Sequence, residues 1–144
     1  MKYVLLAGRV LFSAVFIMSS FGHFSQATIG YAASAGVPLA NVLVPLSGIM
    51  ELVGALLILT GYKAKWGAWL LVIFLVPVTF SLHAFWKTTE PMQQKLEMAA
   101  FMKNISMLGA ALIISYMGSG SLSIDNLISR NKLVNRRQQV SPAH

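Results

Sequence analysis

The chain has 144 residues, 56% of them hydrophobic and only 10% charged, and it contains no cysteine. A water-soluble domain carries about 25% charged residues, so this composition belongs to an integral membrane protein, with no length left over for a second folded domain. The lack of cysteine excludes disulfides, thiolate nucleophiles, CxxC redox pairs and thiolate-held iron–sulfur clusters. The net charge of +7 does not point to nucleic acid, because Lys and Arg gather at the ends of apolar stretches and there face lipid head groups.

Four apolar stretches approach the about 20 residues needed to cross a bilayer: residues 4–24, 39–60, 66–86 and 98–117. The first is followed by Ser25-Gln26-Ala27, which imitates a signal-peptidase site. Its apolar length and the interrupting Arg9 make it a retained span. The alanine-rich residues 26–36 predict a short helix on the outer surface before Pro38 opens the second span, which Gly61 closes. Pro77 is expected to kink the third. Thr89-Glu90-Pro91 predicts a helix start, with Thr89 as cap and Pro91 in the first turn, so the fourth helix begins ahead of its membrane segment. Gly118-Ser119-Gly120 ends it. Residues 122–134 mix Leu and Ile with Arg and Lys, the pattern of an amphipathic helix lying on a membrane face, and 138–144 are expected to be disordered.

The predicted fold is therefore an all-α, four-transmembrane-helix bundle over residues 1–121, followed by a basic amphipathic segment and tail over 122–144. With four spans, Lys2, Lys63, Lys65, Arg130, Lys132, Arg136 and Arg137 share one side. The other side has Lys87, Lys95 and Lys103, partly balanced by Glu90 and Glu97. The positive-inside rule then places both termini in the cytoplasm.

Glu51 lies near the middle of the second span, where a charge costs about 2.5–3.5 kcal/mol. Its neighbours at three- and four-residue spacing are Ser47, Gly48, Gly54 and Ala55. All are small, which predicts a helix–helix interface around the carboxylate. On the first span Arg9, Ser13, Phe16, Ser20 and His23 form a stripe along one side. An Arg9–Glu51 ion pair is the simplest way to offset the buried charge; alternatively Arg9 snorkels to the head groups. His23, His83, Trp86, Lys103 and Asn104 belong at similar depth near the outer surface. With Phe21, Phe24, Phe80, Phe85 and Phe101 they could line an aromatic-walled pocket. Each histidine reads either as a hydrogen-bonded interface residue or as a ligand or acid, and Trp66, Trp69 and Trp86 read as interface anchors. No metal site is expected, since Glu51 is too deep to join both histidines. The eight methionines read as packing. There is no phosphate loop, nucleophile elbow or HExxH.

Arg9, Gly22-His23-Phe24, Gly36-Val37-Pro38, Glu51 with "GALLILTGY" (54–62), His83, Phe85, Asn104 and "GSGSLSID" (118–125) together resemble the DoxX family of small four-span bacterial membrane proteins. The resemblance runs over nearly all of residues 5–127. It implies a four-helix bundle in a cell inner membrane, associated with redox or thiol-handling complexes and binding quinone or another lipophilic molecule. Position 23 is where the resemblance leads one to expect a basic residue, often Lys; here it is His.

Three function classes follow. The first is a membrane subunit of a quinone-linked oxidoreductase, with Glu51 and His83 as candidate catalytic groups. Arg9, His23, Glu51, His83, Trp86, Lys103 and Asn104 would be its ligand-binding residues, and a soluble or membrane redox partner would supply the electrons. The second is a non-enzymatic scaffold whose buried charges only specify the bundle. The third is a small proton-coupled transporter using Glu51, for which inverted-repeat symmetry is lacking. Self-association is left open.

Overall fold

A computed structural model describes the backbone of residues 2–140 and the side chains of 2–136. Helix α1 (Lys2–Ser20) continues through a 3-10 turn, Phe21–Phe24. Then come α2 (Gln26–Ser34), α3 (Ala40–Thr60), α4 (Ala64–Leu82), a 3-10 turn Phe85–Lys87, α5 (Pro91–Met117) and α6 (Ile124–Val140). Four segments are long and apolar enough to cross a membrane: Lys2–Phe24, Ala40–Thr60, Ala64–Lys87 and Pro91–Met117. The all-helical, four-span expectation is met. Residues 138–140, expected to be disordered, continue α6, and 141–144 lie outside the described residues.

Local chemistry sets the boundaries. Ser25 caps α2, its hydroxyl accepting the Thr28 N–H. The cap of α5 is Glu90 and not Thr89: the Glu90 carboxylate accepts the N–H groups of Met92 and Gln93, and Pro91 follows in the first turn. A carboxylate satisfies two orphan donors and complements the helix dipole, which a hydroxyl does less well. These bonds to the ionised form hold the Glu90 carboxyl below the usual range. Helix α3 stops at Gly61, which takes a left-handed φ of 68°. Helices α3 and α4 run through Pro45 and Pro77 respectively.

The bundle is built as a row: α1 packs on α3, α3 on α4 and α4 on α5, while the short α2 lies against α3. Small residues allow this closeness. A Cβ on Gly54 would sit 2.9 Å from the Gly67 carbonyl oxygen, and one on Gly67 would sit 2.7 Å from that of Gly54. The α3–α4 crossing is thus a backbone-to-backbone contact of the small-residue kind. The main core joins Phe16, Ala55, Ile58, Ala68, Leu71, Phe74 and Leu75. A smaller core under α2 joins Ile29, Ala32, Ala40 and Val44. Helix α5 buries only Asn104 and Ala111, and its remaining apolar side chains form an outer surface suited to lipid.

Candidate functional site

On α1 the buried side chains are Arg9, Ser13, Phe16 and Ser20, the stripe read from the sequence. Glu51 is 1% exposed, on the small-residue face of α3. The expected Arg9–Glu51 pair does not form. Arg9 donates from Nη1 to the Ser119 carbonyl and from Nη2 to the Leu122 carbonyl. It does not snorkel either, being 5% exposed. Arg9 packs at the level of Gly61, ten residues along α3 from Glu51, which at about 1.5 Å per residue is roughly 15 Å. No arginine side chain spans that.

Glu51 meets His23 instead. His23 Nε2 lies 3.2 Å from Glu51 Oε2, and Ser19 Oγ donates to Glu51 Oε1 at 2.5 Å. The other imidazole nitrogen, Nδ1, faces Ser47 Oγ at 2.9 Å and the Val44 carbonyl at 3.3 Å. Ser47 already gives its proton to that carbonyl, at 2.7 Å, so Nδ1 carries a hydrogen and donates. Nε2 then confronts a carboxylate oxygen. Two bare acceptors at this distance repel, so one proton resides on the pair, on the imidazole or on the carboxyl. The contact is too poorly aligned to count as a hydrogen bond, and Glu51 Oε2 keeps unused bonding capacity. Gly48 makes the approach feasible: a Cβ there would come within 2.6 Å of the His23 Cβ.

This pair forms part of the wall of a cavity of about 710 Å³ that also receives His83, Lys103 and Asn104. Its size falls in the range of small-molecule sites. Asn104 is 5% exposed, and its side chain reaches the cavity. Phe16, Phe74, Phe80 and Pro77 supply apolar wall, and the His23 ring lies 5.5 Å from that of Phe74, centroid to centroid. At the side near α2, His83 Nδ1 is 2.8 Å from Glu97 Oε2. Gln93 Nε2 donates to Glu97 Oε1 at 2.8 Å. The Tyr31 hydroxyl sits between that oxygen, at 3.2 Å, and the Leu82 carbonyl, at 3.1 Å. Burial, and then the Glu97 charge, push the Tyr31 phenol above its ordinary range, so it stays neutral.

Five of the residues singled out from the sequence, His23, Glu51, His83, Lys103 and Asn104, thus line one cavity. Arg9 and Trp86 do not. Trp86 is half-exposed and packs edge-on against Phe85 and Phe101. Of the five phenylalanines expected at the wall, only Phe80 reaches it. Sequence reasoning missed Ser19, Tyr31 and the pairing of Glu97 with His83. A signal for Ser19 was available, since it adjoins the polar stripe. Glu97 is 14 residues from its histidine partner, and nothing local links them. Among the described residues no three His, Asp or Glu side chains are grouped to hold a metal.

Four spans long and apolar enough to cross a membrane, packed around a cavity lined by polar side chains, define a helical membrane-bundle protein. Residues 4–84 match the family described as DoxX, and the chain belongs to that family. It is 28% identical over 124 residues to the inner membrane protein YphA of Escherichia coli, covering 85% of this chain and 88% of that one. It is 28% identical over 127 residues to inner membrane protein YqjF of the same organism, covering 87% and 92%. A more distant likeness, 25% over 123 residues, covers 85% of this chain but 33% of the ER-derived vesicles protein ERV29 of Saccharomyces cerevisiae. No solved structure matches the chain. The protein is a multi-pass inner membrane protein, like YphA and YqjF.

Proposed function

We propose that the cavity binds a lipophilic molecule with a polar, oxygen-bearing head, of which quinone is the leading candidate, and that the protein serves as a redox-associated membrane subunit. The observation that carries this reading is the juxtaposition of the His23–Glu51 pair with the amide of Asn104 in one cavity walled in part by Phe16, Phe74 and Phe80. An amide N–H that faces a cavity can donate to a ligand's carbonyl oxygen. Lys103 adds a cation on the same wall. Reduction of such a head group by an external donor takes up protons, and the pair is built to hold one and pass it on. Both termini face the cytoplasm in this reading, and membrane lipids surround the bundle.

A second reading, a scaffold that recruits a soluble partner, is supported by α6. That helix presents the exposed side chains of Leu127, Leu133, Arg130 and Lys132 outside the bundle.

The test is mass spectrometry of lipophilic molecules extracted from protein purified in mild detergent, comparing wild type with Asn104→Leu, Glu51→Gln and His83→Ala. The expected result is a stoichiometric quinone-like molecule that falls at least about tenfold in Asn104→Leu, as loss of a hydrogen bond from a buried site predicts. Equal recovery from all four proteins, or recovery of none, would remove the ligand-binding reading. Co-purification of a soluble protein, lost on deleting residues 122–144, would then support the scaffold.

A further inference from the structure

At the end of the bundle that carries both termini, a separate groove of about 460 Å³ lies between the start of α4 and the segment that links α5 to α6. Lys63, Lys65, Trp66, Met117 and Ser119 are among its lining residues. Its polar and apolar parts are sorted by depth. Lys63 sits in the α3–α4 turn and Lys65 in the first turn of α4, whereas Trp66 and Met117, 70% and 68% exposed, lie where two spans reach the membrane boundary. An exposed tryptophan in this place belongs at head-group level.

Neither ammonium group is in an ion pair, although Lys63 Nζ lies over the Tyr62 ring, 5.5 Å from its centroid. Among the described residues neither lies within ion-pair distance of a carboxylate; the only pairs are His23–Glu51 and His83–Glu97. Asp125, the acid of the groove, bonds within it to groups other than the two ammoniums: Oδ1 accepts the Lys63 backbone N–H at 3.0 Å and Oδ2 faces Ser119 Oγ at 3.4 Å. Lys65 is held against Gly118, where a Cβ would sit 3.2 Å from its Cε. Counting two lysines against one aspartate leaves one net positive charge.

We infer that this groove is a binding site for the phosphate of an anionic phospholipid, with the phosphate held by Lys63 and Lys65 and the acyl chains running down past Trp66 and Met117. Phosphate chemistry is shared with free inorganic phosphate, but the apolar lower wall favours a ligand with a hydrocarbon part. The site is independent of the internal cavity and does not depend on what that cavity binds.

Native mass spectrometry of the full chain in detergent tests this, titrating phosphatidylglycerol, phosphatidylcholine and inorganic phosphate separately. The expected result is one phosphatidylglycerol held in preference to phosphatidylcholine. At about 1 kcal/mol per basic residue, its affinity falls about fivefold in Lys63→Gln or Lys65→Gln and about thirtyfold in the double variant. The double variant Arg130→Gln/Lys132→Gln on α6 leaves it unchanged. Equal retention of the two lipids, or full retention by the Lys63→Gln/Lys65→Gln protein, overturns the site. An equal loss in the α6 variant overturns it too, by showing diffuse attraction to a basic surface. Displacement of the lipid by millimolar inorganic phosphate would assign the groove to the free anion and overturn the lipid reading.

Discussion

Arg9 and Glu51 are both charged side chains almost wholly buried within apolar spans, yet the molecule offsets their desolvation in opposite ways. Arg9 is sealed by backbone: its guanidinium bonds the carbonyls of Ser119 and Leu122, tying α1 to the segment that follows α5. Backbone carbonyls do not titrate, and arginine stays charged in any protein environment, so this contact is static. Glu51 is met by the His23 imidazole and the Ser19 hydroxyl, both able to rearrange protons. The comparison separates a structural charge from one placed for exchange. Burial alone does not distinguish them; the chemistry of the partner does.

Arg9→Ala should give the largest effect. It strands two carbonyls and removes two charge-assisted bonds, a loss of about 3 kcal/mol, read as a fall in thermal unfolding temperature in detergent. Arg9→Lys should recover only part of it, since one ammonium does not reproduce the fork. If Arg9→Ala were as stable as wild type, the contrast with Glu51 would collapse.

The Glu51 side of the comparison is sharpened by paired variants. His23→Ala leaves a buried carboxyl without its imidazole partner and should cost about 2 kcal/mol, less than Arg9→Ala, because Ser19 still bonds the carboxylate. Glu51→Gln should cost about 1 kcal/mol, since a neutral imidazole tolerates an amide neighbour. Measured by thermal unfolding, a His23→Ala loss that exceeded that of Arg9→Ala would contradict the idea that the pair shares a mobile proton.

Smaller effects lie at the opposite end of the bundle from the termini. Tyr31→Phe removes a half-exposed hydroxyl shared between Glu97 and the Leu82 carbonyl. It should lower stability by less than about 1 kcal/mol, checked by the same melting measurement. The smallest effect is at the start of α5. The Glu90 carboxyl is held below its usual range in the folded protein, so its contribution is present above the ordinary carboxylate range and is lost as pH falls through the depressed value. Amide exchange at Met92 and Gln93 should therefore speed up under acid in wild type, corrected for intrinsic rates. In Glu90→Ala it should be fast throughout.

Several levels of this organisation were legible before any coordinates. Hydropathy marks four spans because a bilayer admits only helices with their backbone bonds satisfied internally. The rotational face of the first two spans was legible as well. The spacing of Arg9, Ser13, Phe16 and Ser20 and the small residues flanking Glu51 show which sides are buried, since helical period depends on sequence alone. The cap of α5 was misplaced by one residue, Glu90 for Thr89, because both types can cap and only the backbone path of the turn selects between them.

What the sequence by itself determined, then, was the number of helices, the buried faces of the first two spans and the grouping of His23, His83, Lys103 and Asn104 at one end of the bundle; that Glu51 joins them was decided by the packing. The tertiary structure decided who pairs with whom. Periodicity sets rotation about a helix axis but says nothing of the axial register between two helices. That register depends on where Gly48 admits the His23 ring and where Gly61 admits Arg9. It sent Arg9 to the Gly118–Ser123 turn and His23 to Glu51. The same long-range packing brought Glu97 to His83 and set Lys63 and Lys65 beside the segment after α5.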